Sequence, residues 1–190
     1  MIDIDNIRHF TMPRPDPNFI GTAIEFDELP ETHREQILFL DKAAGKYIFE
    51  FAVSARFITG GLWDPFAKGN FKTVEHYDRF YGIQDSKQEL KKWLFNRGIP
   101  FSTWVFVLPG ANQPPMLMTW KMMVKYVEHI FFGDDVVVFD HTGNWCLVYF
   151  HENEMFFGKD RSYDPAEDDQ LIADLNERKK QYPQFKHPFL

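Results

Sequence analysis

From Asp134 to Gly158 the chain alternates apolar and polar positions with a period of two, the pattern of strands that present two different faces. Thr142, Gly143 and Asn144 interrupt the first run, and Gly and Asn accept positive φ at little steric cost. With 141–144 as the loop, Asp140 lies opposite Trp145, Val138 opposite Leu147, Val136 opposite Tyr149 and Asp134 opposite His151. A two-residue turn at Glu152-Asn153 then sets His151 against Glu154, Tyr149 against Phe156 and Leu147 against Gly158. On this register Val137, Phe139, Cys146, Val148, Phe150, Met155 and Phe157 share a face, which is expected to be core. The opposite face carries Val136, Val138, Trp145, Leu147, Tyr149 and Phe156, with Asp134, His151 and Glu154 gathered at one end. A covering helix is the plainer reading of that second face, and an exposed functional surface is the alternative. A slip of one residue in either turn would exchange the faces.

Elsewhere the elements are read from periodicity and punctuation. Pro30 opens an expected helix that runs to Ala44 and stops at Gly45. The segment 46–58 fits two patterns: Tyr47, Phe49, Phe51, Val53, Ala55 and Phe57 alternate, whereas Ala44, Ile48, Phe51, Ala55 and Ile58 recur as a helical stripe. The alternation favours a strand. Loops are expected at 60–65 and 68–70. A helix over 86–97 has capping-box spacing at Ser86 and Glu89 and a stop at Gly98. A strand follows over 101–108. Pro114-Pro115 opens a further helix through Leu117, Trp120, Val124, Val127 and Phe131, ended by Gly133. Met116, Met118, Met122 and Met123 on it suit gap-filling core better than an adaptable binding groove. Asp164-Pro165 begins the last helix, which docks through Leu171, Ile172 and Leu175. The expected fold is α+β: a mainly antiparallel sheet with a C-terminal three-stranded meander, helices packed on one side, and residues 1–190 forming one globular domain.

Composition narrows the function classes. Among 190 residues 17% are aromatic, including 21 Phe, which means a Phe-rich core unless the rings line an interface. A formal net charge of −7 argues against a nucleic-acid partner, which would need a basic stripe. Cys146 is the single cysteine, so no internal disulfide forms, and a buried thiol suits a reducing compartment. The acidic N-terminus lacks the pattern of a signal peptide, and no apolar stretch reaches membrane-spanning length. The expected location is cytoplasmic, with no membrane contact.

Catalytic chemistry finds few footholds. No His-Glu-x-x-His, cysteine pair, Gly-x-Ser-x-Gly or phosphate loop occurs, so no metal and no cofactor is expected. His141 and His151 stand at opposite ends of one strand. Cys146, on the expected core face, is poorly placed to form thiolate. The one constellation with chemistry is His151 with Asp134 and Glu154, where a carboxylate beside an imidazole raises its pKa and orients its ring.

A strand ending in Asp140, a turn, Trp145 opening the next strand, His151-Glu152, and a last strand closing on Phe157-Gly158 resembles the ending of small acidic bacterial proteins. Some of these are the immunity members of toxin–immunity pairs. The resemblance implies a protein without a reaction, whose acidic and aromatic surface blocks a basic toxin. The contact surface would then be Trp63, Asp64, Trp145, Tyr149 and Glu154, with Asp134 beside them. The alternative is a small enzyme using His151 with Asp134 or Glu154 as an acid–base pair. A third reading is a self-associating subunit, joined through the meander edge or the Met-rich helix.

Overall fold

The stretch that alternates most regularly forms the middle of the sheet. A computed structural model describes residues 2–14, 26–59, 62–63, 65–66, 70–77, 83–110, 113–131, 134–162 and 169–185. In it β8 (Val136–Asp140), β9 (Cys146–Phe150) and β10 (Glu154–Arg161) follow one another antiparallel. They belong to an eight-stranded antiparallel sheet with β1 (Thr11–Met12), β2 (Ile37–Leu40), β5 (Phe71–Tyr77), β6 (Trp104–Leu108) and β7 (Met116–Thr119), in the order β1-β2-β7-β6-β8-β9-β10-β5. A separate hairpin joins β3 (Ile58–Thr59) to β4 (Leu62–Trp63). The helices are α1 (Ile4–Ile7), α2 (Glu31–Arg34), α3 (Lys42–Ser54), α4 (Ile83–Phe95), α5 (Trp120–Lys125), α6 (Val127–Ile130) and α7 (Asp169–Gln181). The fold is therefore α+β, as the pattern of elements implies.

The first hairpin keeps the expected register, with Val136 opposite Tyr149 and Val138 opposite Leu147. Its turn is locked by Asp140, which is buried and accepts from the Thr142 amide (2.8 Å), the Thr142 hydroxyl (2.5 Å) and Trp145 Nε1 (2.9 Å). Gly143 supplies the left-handed residue, at φ 64°. The second hairpin is shifted by one residue from the expected pairing. Glu154 opposes Phe150 and Phe157 opposes Leu147. The loop is three residues long and closes with Asn153 at φ 68°, whose amide donates to the Phe150 carbonyl. A type I turn followed by a left-handed residue is the usual three-residue hairpin, and Asn accepts that conformation more readily than most residues. The slip moves Met155 and Phe157 to the face of Leu147 and Tyr149, and brings Phe156 edge-on to Phe150 on the other.

Both faces of the sheet are core. One is covered by α4, α5 and α6 through Leu90, Leu94, Trp120, Met122, Met123 and Val127. The other is covered by α3, which packs Ile48, Phe51 and Ala52 over Phe139, Phe106 and Val148. Helices thus line two sides instead of the expected one, because 42–54 is helix and not strand. Asp41 starts it, accepting from the Ala44 amide at 2.8 Å as an N-cap. Gly45 does not stop a helix; it lies inside α3, where a Cβ would sit 3.2 Å from Pro115 Cδ. The expected helix over 30–44 shrinks to α2, since Ile37–Leu40 is an apolar run buried on both faces between β1 and β7. Met116–Thr119 is likewise a buried strand, and the helix begins at Trp120 with Thr119 as its cap. All four methionines named above are buried in the core on the α4–α6 side, so they offer no surface to a second copy.

The helix expected over 86–97 is α4. It starts earlier than Ser86, buries Leu90 and Leu94, and ends before Gly98 at φ 74°. Expectations for Gly60-Gly61, Lys68-Gly69, Gly133 and Asp164-Pro165, and for the side chains of Leu171, Ile172 and Leu175, fall outside the described residues. α7 reaches α3 through Arg178, which donates to the Glu50 carbonyl (2.9 Å) and to Ser54 Oγ. Just beyond α7, Phe185 stacks on Tyr47 with centroids 4.5 Å apart. Among the described residues no helix is long and apolar enough to cross a membrane.

Candidate functional site

Where β2, β6 and β9 end and β7 and β8 begin, the chain leaves an open groove of about 1010 Å³ against the N-terminal half of α3. α3 contributes Lys42, Gly45, Lys46 and Phe49, positions three and four apart that share one side of a helix. The floor is apolar, built from Met12, Leu40, Leu108 and Pro115. The opposite wall carries Asp134, Asp135 and His151 at the ends of the meander. Phe49 stands on the rim with 46% of its surface exposed, an unusual position for a phenyl ring in a chain that buries most of the aromatic side chains described.

His151 and Asp134 line this groove together, but the carboxylate that holds the imidazole is Asp135. Its Oδ1 lies 2.9 Å from His151 Nδ1 and accepts from the His151 backbone N–H, also at 2.9 Å. The Asp135 bond raises the His151 pKa above its ordinary 6.5, and the charges of Asp135, Glu152 and Asp134 act in the same direction. Nε2 of this exposed ring has no protein partner among the described residues. Asp134 is fitted closely against Gly110, where a Cβ would come 2.9 Å from Asp134 Cβ. Only a glycine lets the two strand ends approach this way.

Glu154 leaves the group because the second hairpin is shifted. Its carboxylate lies 3.8 Å from His76 Nε2, and the His76 ring stacks on Phe156 at 4.3 Å. The trio expected at one end of the meander is therefore divided: His151 and Asp134 at the groove, Glu154 with His76 on β5. A two-residue turn would have kept it together.

Trp145 and Tyr149, expected on a contact surface, are core residues. Trp145 donates to Asp140 and packs edge-on to Trp120 at 5.6 Å. Tyr149 lies against Phe131, and its hydroxyl donates to Asn153 Oδ1 at 3.2 Å. Burial pushes its phenol pKa up. Both rings face the layer formed by α4, α5 and α6, the covering helices that the plainer reading of this face requires. Trp63 pairs through its backbone with Ile58, while its side chain and Asp64 lie outside the described residues. The meander has no open edge for a second copy, since β5 pairs along β10 from Met155 to Arg161.

Cys146 is fully buried, and burial drives its thiol pKa well above the ordinary value, so it supplies no thiolate. No group of three or more His, Cys, Asp or Glu side chains able to hold a metal occurs among the described residues. Among the described residues the groove lining contains no Ser, Thr, Cys or Tyr, so none of them places a hydroxyl or thiol nucleophile beside His151. From the sequence Asp135 stands at the polar end of the expected core face and Pro109-Gly110 closes the strand over 101–108, and nothing in that pattern joins either to His151 or Asp134. No protein-family model, no curated protein and no solved structure matches this chain.

Proposed function

We propose that this chain is a non-catalytic binding protein that receives a segment of a partner protein in the groove between α3 and the adjoining strand ends. The observation that carries this reading is the groove itself: an apolar floor, the exposed ring of Phe49 on its rim, and polar side chains of both signs around it. Interfaces are built this way, with an apolar centre and a polar border. Among the described lining residues Asp41, Asp134 and Asp135 face Lys42, Lys46 and His151, so the groove does not select strongly for charge. The whole chain does, because a net charge of −7 steers a basic partner toward it. A toxin blocked by an immunity protein, the pairing implied by the resemblance of 134–158, is one such partner.

A photo-crosslinking residue placed at Phe49 tests this in the cell that makes the protein, with the same residue at the exposed Phe95, outside the groove lining, as the control. One dominant protein adduct is expected at position 49 and not at position 95. No adduct, or the same adducts at both positions, would contradict the proposal.

The bond between His151 and Asp135 favours one second reading. A carboxylate on Nδ1 leaves Nε2 as the proton-transfer atom, and with no hydroxyl or thiol in the described lining the pair would act as acid or base on water or on the substrate itself. In that case His151→Gln abolishes turnover and leaves partner affinity unchanged; in a binding site there is no turnover to lose.

A further inference from the structure

A second cleft, of about 490 Å³, opens where the end of β10 passes the β8–β9 turn and the segment that follows α4. Lys72, Arg97, Lys159 and Arg161 line it, and the apolar part of the lining is Ile99 with the mostly buried rings of Trp145 and Phe157. Four cations from three separate parts of the chain converge here, although the net charge is −7. Among the described residues Glu75 and Asp160 offset two of them, which leaves a surplus of positive charge.

Arg97 is built into the cleft. Its side chain is only 7% exposed, and its guanidinium lies 4.3 Å from the Trp93 ring centroid and 5.4 Å from that of Phe157. Nε donates to the Trp93 carbonyl at 3.0 Å and Nη1 donates to Glu75. Nη2 has no protein partner among the described residues. One edge of the guanidinium is thus committed, and the fork keeps a free donor for an oxyanion. Lys159 touches the other oxygen of Glu75 at 3.5 Å, and Lys72 forms no ion pair among the described residues. Arg161 is anchored by Nη2 on the Ala55 carbonyl at 3.3 Å. Asp160, between the two β10 cations, is held at φ 58°.

We propose that this cleft binds a small phosphorylated organic molecule, with the phosphate among Lys72, Arg97 and Lys159 and the organic part against Ile99 and Trp145. A phosphate monoester carries nearly two negative charges at neutral pH and accepts charge-assisted bonds from Arg and Lys, which the surplus here matches. The volume falls in the range of small-molecule pockets.

Phenyl phosphate titrated into the isotopically labelled full chain at low ionic strength tests this site independently of the groove. Saturable amide shifts are expected at Asn144, Trp145 and 159–161, with weaker binding of inorganic phosphate at the same amides and none of phenol. Lys72→Ala and Lys159→Ala alter surface side chains and should leave the fold intact, and each should weaken binding about tenfold. Shifts that do not saturate, or are as large around Lys87, Lys91 and Lys125, would mean unspecific attraction and overturn the proposal. So would an affinity that neither variant changes.

Discussion

His151 illustrates how one neighbouring residue sets the chemistry of a site. Asp135 holds the imidazole by its ring nitrogen and its backbone, so the folded chain favours the ionised ring. A raised folded pKa means that the pair stabilises the fold fully below the ordinary 6.5 and that this contribution is lost as pH rises through the higher folded value. NMR titration should find His151 above 6.5 and, in Asp135→Asn, back near it. An unchanged midpoint in that variant would remove Asp135 as the cause. Asp140 is the structural counterpart, a buried carboxylate with three donors. Asp140→Ala leaves Trp145 Nε1 without its acceptor and should cost about 2–3 kcal/mol in chemical denaturation, whereas Asp140→Asn, which keeps one oxygen, should cost less. Gly158 has no space for a side chain, because a Cβ there would meet Phe71 at 2.6 Å and Phe66 at 2.8 Å. Gly158→Ala is expected to destabilise by roughly 1–3 kcal/mol through overpacking.

At the scale of elements, legibility followed the local signals. The first hairpin could be read because Thr-Gly-Asn marks a turn and both flanking runs alternate without a break. The second could not, because Glu152-Asn153 leaves open whether the loop has two residues or three, and Asn153 settles it by taking the left-handed conformation. That one residue decided the candidate site, since it carried Glu154 away from His151 and put Met155 and Phe157 in the other core layer. Asn153→Gly and Asn153→Ala both remove the acceptor of the Tyr149 hydroxyl, and beyond that shared loss Asn153→Ala should be less stable than Asn153→Gly by about 1–2 kcal/mol in thermal or denaturant unfolding. Equal stability of the two would show that the turn does not depend on positive φ. The helix α3 was hidden for a different reason. Its two sides touch unlike surroundings, the core on one and the groove on the other, so Phe49 and Val53 fill the polar positions of a simple amphipathic pattern. Ile37–Leu40 and Met116–Thr119 are buried on both faces, and for so short a run of apolar residues periodicity cannot separate strand from helix.

In the molecule as a whole, one sheet divides two cores, and the aromatic excess belongs mainly to them. Phe51, Phe57, Phe106 and Phe139 pack together on one face, and Trp120, Phe131, Trp145 and Phe157 on the other. Composition alone could not say this, because interior and interface use the same side chains. The large apolar side chains left exposed among the described residues are Phe49, Val74, Phe95 and Phe101, and of these Phe49 lies on the groove. The affinity of the protein captured at position 49 tests the account most directly, compared between Phe49→Asp and Val74→Asp. The two variants change charge equally, and Val74 lies outside the groove lining. Phe49→Asp should weaken binding at least about tenfold, with Val74→Asp within about twofold of the unaltered chain. If Phe49→Asp stays folded and binds as tightly as the unaltered chain, the groove is not the contact surface.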